Sequence, residues 1–268
     1  MFIMEYKTET VTAGEAVIEF FRFGNGKKPL IILPGLSIKS ILMYKAAVAI
    51  ALDTFAEDHE VFVFDRRKNF PDVYPVEDMA KDYINAFEKL GLKDASLYGI
   101  SQGGMIALSI AVQRPGLVSS MVLGSTCARF TPEAEEMLKG WNKLAREHNE
   151  EALIEGFMNK VYSKAFVDAY KDAIVASLKG ITDDEFARFV ISTDAPTRYD
   201  VYDKLGVIKC PVFVMCGSED AILGAECSRD IAQKLGCELK IFDGASHAVY
   251  DEVPEFKAKA KEFLNKYL

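Results

Sequence analysis

Residues 95–112 read ASLYGISQGGMIALSIAV, and this stretch decides the fold. Ala95 to Tyr98 is a short apolar run of the kind that forms a buried strand, and Met105 to Val112 is an apolar run that reads as a helix. Between them Ser101 has one glycine two residues before it and another two residues after it, the pattern Gly-x-Ser-x-Gly. A strand that turns at once into a helix holds the serine in strained dihedrals and brings neighbouring backbones close together. Side chains at Gly99 and Gly103 would collide in such a turn. The new helix also aims free N–H groups at any negative charge that develops beside the serine. The pattern alone says little, and the strand before it and helix after it give it weight.

The same alternation runs outward from this point. Upstream come strand-like segments at Glu9 to Thr12, Ala16 to Phe23 and Pro29 to Leu33, a helical stretch near Ser40 to Phe55, a strand at Val61 to Phe64 and a helix at Val76 to Leu90. Downstream lie strands at Ser120 to Leu123, Val212 to Met215 and Glu238 to Phe242, a helix near Ala225 to Leu235 and a last helix from Glu255 to Leu268. Strands that are apolar throughout and joined by helices imply a parallel sheet covered on both faces, so the fold class is α/β.

Residues 130–199 break the pattern, with no strand signal and several amphipathic helices. Thr131-Pro132 has an N-cap and first-turn signature, and Thr182 to Glu185 matches a capping box. Met137, Leu138, Trp141 and Leu144 share one face, and Phe166, Tyr170, Ile174 and Leu178 recur at every fourth residue. The expected division is a core of residues 1–129 and 200–268 with a helical cap at 130–199.

The bounds are ordinary. The chain has 268 residues, half of them hydrophobic, and a formal charge of −8. An acidic, mixed surface favours neither phosphate backbones nor anionic lipid, so nucleic acid and membrane are not expected partners. The start has no basic region ahead of an apolar run, and no stretch nears the ~20 apolar residues of a membrane span, which points to the cytoplasm. Five cysteines without CxxC spacing read as reduced thiols, with neither a disulfide framework nor a metal site.

A serine hydroxyl needs a base to become a nucleophile, and the base needs a carboxylate to orient it. Of three histidines, His59 and His148 read as solvated. His247 lies in Asp243-Gly-Ala-Ser-His247, between the last strand and the last helix, at the sheet edge where open α/β sheets build their sites. The loop Cys216-Gly-Ser-Glu-Asp220 offers two acids, Glu219 and Asp220. A tetrahedral intermediate needs N–H donors, and the amides of Gln102 and of Leu36, in the Pro34-Gly35 turn, are the candidates. Ser37, Ser125, Trp141, Phe157 and Met158 are the candidate pocket residues.

Ser101, an acid at 219–220 and His247, in that order with these flanks, resemble the α/β-hydrolase family, in particular its capped single-domain esterases, lactonases and peroxidase-like members. The resemblance covers nearly the whole chain. It implies an eight-stranded, mostly parallel sheet, acyl-serine chemistry on a small-molecule acyl substrate, and no cofactor; a homodimer is left open. It selects Asp220 over Glu219. Two departures stand out: Pro34-Gly35 replaces a His-Gly pair, and Arg66-Arg67-Lys68-Asn69, after an expected turn at Phe64 to Arg66, replaces a glycine-rich segment. Ester, thioester, lactone, carbon–carbon and perhydrolase chemistry all remain open, as does a binding protein that kept the pocket.

Overall fold

The computed structural model describes residues 6–268, so part of the stretch read for a leader lies outside the described residues. Eight strands form one sheet: β1 (Glu9–Ala13), β2 (Ala16–Phe23), β3 (Lys28–Leu33), β4 (His59–Arg67), β5 (Ala95–Ile100), β6 (Val118–Gly124), β7 (Val212–Gly217) and β8 (Glu238–Phe242). Their spatial order is β1-β2-β4-β3-β5-β6-β7-β8. The first two pairings are antiparallel and the remaining five are parallel.

Period-two alternation sends the side chains of each central strand to two separate cores. Leu97 of β5 and Phe62 and Phe64 of β4 pack with α2 (Val76–Leu90), α3 (Gln102–Gln113) and α8 (Gly224–Leu235). Tyr98 and Ile100, with Val61 and Val63, face α1 (Lys45–Ala51) and α10 (Pro254–Leu264) on the other side. A short α9 (Val249–Glu252) precedes α10. The sheet is therefore buried on both faces, as strands without polar alternation require.

Parallel register places the carboxyl ends of the central strands side by side. Leu33 pairs with Gly99, Ile100 with Gly124, and Gly217 with Phe242. The loops after β3, β5, β7 and β8 consequently leave the sheet along one edge.

Between β6 and β7 run α4 (Pro132–Arg146), α5 (Glu150–Val161), α6 (Lys164–Leu178) and α7 (Asp183–Asp194). Each is closed at its start by a side chain: Thr131, Asn149, Ser163 and Thr182 each accept a bond from an amide of the first turn, and Glu185 completes a capping box. Leu138, Trp141, Leu153, Phe186 and Phe189 form a third cluster with Ile38 and Ala248, which belong to loops of the sheet edge.

Three expectations need correction. β4 runs on through Arg67 where a turn was read at Phe64 to Arg66, because Ile18 of β2 pairs with Arg67 across a bulge. His59 is fully buried, its ring withdrawn from water by the turn at Gly24 to Gly26, whose amides at Asn25 and Gly26 bond to Ala56 and His59. The four-residue spacing of Phe166, Tyr170, Ile174 and Leu178 does not mark a buried face: Val167 is the buried residue of α6, and Tyr170 is 53% exposed.

Candidate active site

The elbow follows from its glycines. Ser101 adopts φ 52°, ψ −122°, a left-handed φ that costs a non-glycine residue of order 1–3 kcal/mol. It is held there by its N–H donating to Gly124 O (2.8 Å) and by Thr126 Oγ1 donating to Ser101 O (2.7 Å). A Cβ on Gly99 would stand 2.6 Å from Gly103 O, and one on Gly103 would overlap the backbone carbonyl of Leu33. Close approach of β3, β5 and α3 thus needs glycine at both positions.

Three loops of the edge bring their side chains together. His247 Nε2 lies 3.0 Å from Ser101 Oγ, although 146 residues separate them. The other ring nitrogen, Nδ1, is 2.9 and 2.8 Å from the two Asp220 oxygens. Asp220 Oδ1 also accepts from the amides of Ile222 (2.9 Å) and Leu223 (3.1 Å). Burial by itself would raise this carboxyl, but the His247 charge and hydrogen bond, with the two amides, hold it below the ordinary carboxylate range. Glu219 stays exposed, and it is Asp220 that reaches the imidazole. An Nδ1 that donates to Asp220 leaves the Nε2 lone pair facing the Ser101 hydroxyl.

The loop after β3 lies against the same serine, with the Gly35 backbone close enough that an added Cβ would sit 3.2 Å from Ser101 Cβ. The amides of Leu36 and Gln102 find no acceptor among the described residues. A buried arginine fixes this loop. Arg66 Nη2 donates to Pro34 O (2.8 Å), Gly35 O (3.2 Å) and Gln102 Oε1 (3.0 Å), while Gln102 Nε2 donates to Ser192 O (2.8 Å) on α7. Arg66 therefore ties the β3 loop to the elbow through carbonyl groups. Its neighbour Asp65 is engaged by Ser40 Oγ and by the Arg66 amide. Arg67 points elsewhere, pairing with Asp82 at 3.0 Å.

A cavity of about 50 Å³ opens over Ser101 and His247, walled by Met105, Leu138, Trp141, Phe157 and Leu223 among others. A larger chamber of about 510 Å³ adjoins it and shares Gly35, Leu36, Phe157, Val161 and Tyr250 as walls. Of the candidate pocket residues, Trp141 and Phe157 line the first and Ser37 the second. Ser125 and Met158 line neither. Ser125 is pinned behind the elbow in a left-handed turn (φ 44°), its amide bonded to Met215 O, and Met158 is turned inward from α5. Sequence reasoning passed over Arg66, Met105, Leu138, Leu223 and Tyr250. Only Arg66 left a signal, as bulk where small residues were expected.

No group of His, Cys, Asp and Glu among the described residues is arranged to hold a metal ion, and no described helix is long and apolar enough to cross a membrane. The model of the alpha/beta hydrolase family matches residues 30–260, and the chain belongs to that family. It is 24% identical over 223 residues to the protein named "Putative carbamate hydrolase RutD" of Rhizobium rhizogenes, covering 80% of this chain and 85% of that one. It is 19% identical over 219 residues to 3-oxoadipate enol-lactonase 2 of Acinetobacter baylyi, covering 80% of each. Among solved structures it resembles MGS-M2, an alpha/beta hydrolase from a Medee basin deep-sea metagenome library, with a TM-score of 0.86, 24% identity and coverage of 96% and 97% of the two chains.

Proposed function

We propose that the chain is a serine hydrolase acting on a carboxylic ester or a related acyl compound, with Ser101, His247 and Asp220 as its triad. The observation that carries this reading is the single line of contacts from Ser101 Oγ through both nitrogens of His247 to Asp220. The names of the two relatives, a carbamate hydrolase and an enol-lactonase, agree with an acyl substrate.

His247 Nε2 takes the Ser101 proton as Oγ bonds to the substrate carbonyl carbon, and the carbonyl oxygen becomes an oxyanion facing the Leu36 and Gln102 amides. The imidazolium, held by Asp220, returns that proton to the leaving oxygen as its bond to carbon breaks, and the alcohol departs. Water then adds to the acyl-serine, its proton passing to His247 and on to Ser101 Oγ, which leaves as the free acid is released. No cofactor enters this scheme. Arg66 is a positioning residue, holding the Pro34 and Gly35 carbonyls outward so that the following amide faces the site. Residues 130–199 serve as the cap, and Trp141 and Phe157 set the size of the smaller cavity.

A fluorophosphonate probe followed by peptide mapping tests the reading. Labelling of the peptide containing Ser101, with release of p-nitrophenol from short esters, is the expected result. An unlabelled serine in a folded protein that hydrolyses none of an ester, thioester and lactone panel would overturn it.

A further inference from the structure

The large chamber behind the β3 loop is not plain apolar space. Tyr98, Tyr162, Tyr250 and Asp251 all border it, and none of their side-chain hydroxyl or carboxyl groups has a hydrogen-bond partner among the described residues. Tyr98 is only 3% exposed, standing on β5 three residues before Ser101. Phenol hydroxyls and a carboxyl that line one chamber without a protein partner are open to the polar group of a ligand. Asp251 keeps an exposed face, and partial desolvation raises its carboxyl, up to about 6, against the opposing charge of Lys257. Burial above all, with the Asp251 charge, pushes the three phenols up. Most of the rest of the wall, including Ala47, Val48, Ala51 and Ile174, is apolar, with Ser37, Lys39, Tyr44, Ser177 and Lys257 as its other polar members. At about 510 Å³ the chamber falls within the usual range for small-molecule sites, whereas the cavity over the serine does not.

Resting on the triad reading above, we infer that the chamber is the acyl site for a medium-chain ester whose chain carries a hydroxyl group, and that the small cavity receives a short leaving alcohol. The assignment of the two ends follows from proton transfer. The group that protonates the leaving oxygen, His247, lines the small cavity and not the chamber. The chain therefore passes Leu36 and Tyr250, which border both spaces, and lies between α1 and α6. Its hydroxyl donates to Asp251 and accepts from a tyrosine, and its methylenes meet the alanines of α1. A neutral hydroxyl suits a wall that presents both the Asp251 carboxyl and the Lys257 ammonium.

The test compares methyl esters of acyl chains from acetyl to decanoyl, acetates of alcohols over the same range, and methyl octanoates hydroxylated at successive positions. On the acyl side kcat/KM is expected to rise about fourfold per methylene, the equivalent of ~0.8 kcal/mol. On the alcohol side it is expected to fall beyond the shortest members. At least one hydroxylated octanoate is expected to exceed octanoate by about tenfold, and Tyr98→Phe to reduce that preference. Ala47→Trp, with Ala51→Phe as an independent filling of the same wall, is expected to lower the octanoate-to-acetate ratio about tenfold. A flat or falling acyl series, or filled variants that keep the wild-type ratio, overturns the assignment; if no hydroxylated ester surpasses octanoate, the hydroxyl part falls. Calorimetry with the Ser101→Ala variant separates the two readings. Binding of methyl hydroxyoctanoate that is lost on adding Ala47→Trp, in a protein whose wild type hydrolyses nothing, upholds the chamber and removes the triad reading; absence of binding together with absence of turnover removes both.

Discussion

Along β5 every residue from Ala95 to Ile100 is buried, whereas α6, in the segment above the site, buries only Val167 and leaves Tyr170 half in water. The strand is locked by ladders on both sides and by packing on both faces, so a change there has nowhere to go. The helix is held at its ends, by the Ser163 cap and by Tyr44 Oη donating to Ser177 O (2.6 Å), with little core between. The difference separates two tasks. On the proposed function, groups that must keep their distances to a fraction of an ångström hang from the strand ends, and surfaces that meet a substrate hang from a helix with few buried contacts.

Substitutions along this contrast have graded effects. Ser101→Ala, on the rigid side, is expected to lower turnover by roughly a million-fold while leaving the circular dichroism spectrum and melting temperature close to wild type. Retained turnover would dissolve the contrast at its strongest point. Gly103→Ala drives a methyl into the Leu33 carbonyl and is expected to cost about 3 kcal/mol or more of stability in urea unfolding. Arg66→Ala leaves the Pro34, Gly35 and Gln102 acceptors without their donor and is expected to reduce kcat about a hundredfold with a smaller change in KM. An equal rise in KM with kcat unchanged would assign Arg66 to substrate binding instead.

Smaller effects belong to the looser side. The Asp251 carboxyl, raised to about 6 from 3.8, favours the proton in the folded chain, so folding loses stability as pH climbs between these values and carries the full penalty above. Asp251→Asn is accordingly expected to raise the melting temperature at pH 7 and to change it little below pH 3.8, as scanning calorimetry would show. Tyr170→Ser is expected to stay within about 0.5 kcal/mol of wild type. A loss of several kcal/mol there would mean that α6 is anchored as firmly as β5.

Much of this architecture was legible in the residues because the relevant signals are local. β2, α2 and β8 begin and end where turn residues and apolar periodicity put them. β4 runs past its apparent end because Asp65, Arg66 and Arg67 look like loop residues until their partners are known, and those partners are distant in sequence. α3 starts three residues before the apolar run suggests, since Gly103 and Gly104 are poor helix formers placed there by the elbow. The loops carrying Ser101, Asp220 and His247 were marked by glycines and strand ends. The pocket was harder: Ser125 and Met158 have suitable chemistry but face inward, and which face of a helix meets a cavity depends on packing against elements far along the chain.

On the proposed triad, the Ser101–His247 contact also fixes when the chain becomes competent. Its two halves come from the fifth and the eighth strand, and β8 is an outer strand paired with β7 alone. On that triad, a chain that stops before β8 lacks the imidazole, and its turnover is expected to be lost. Regained turnover after denaturation would then time the docking of β8 and the loop that follows it, turning the reaction itself into a clock for that step of assembly.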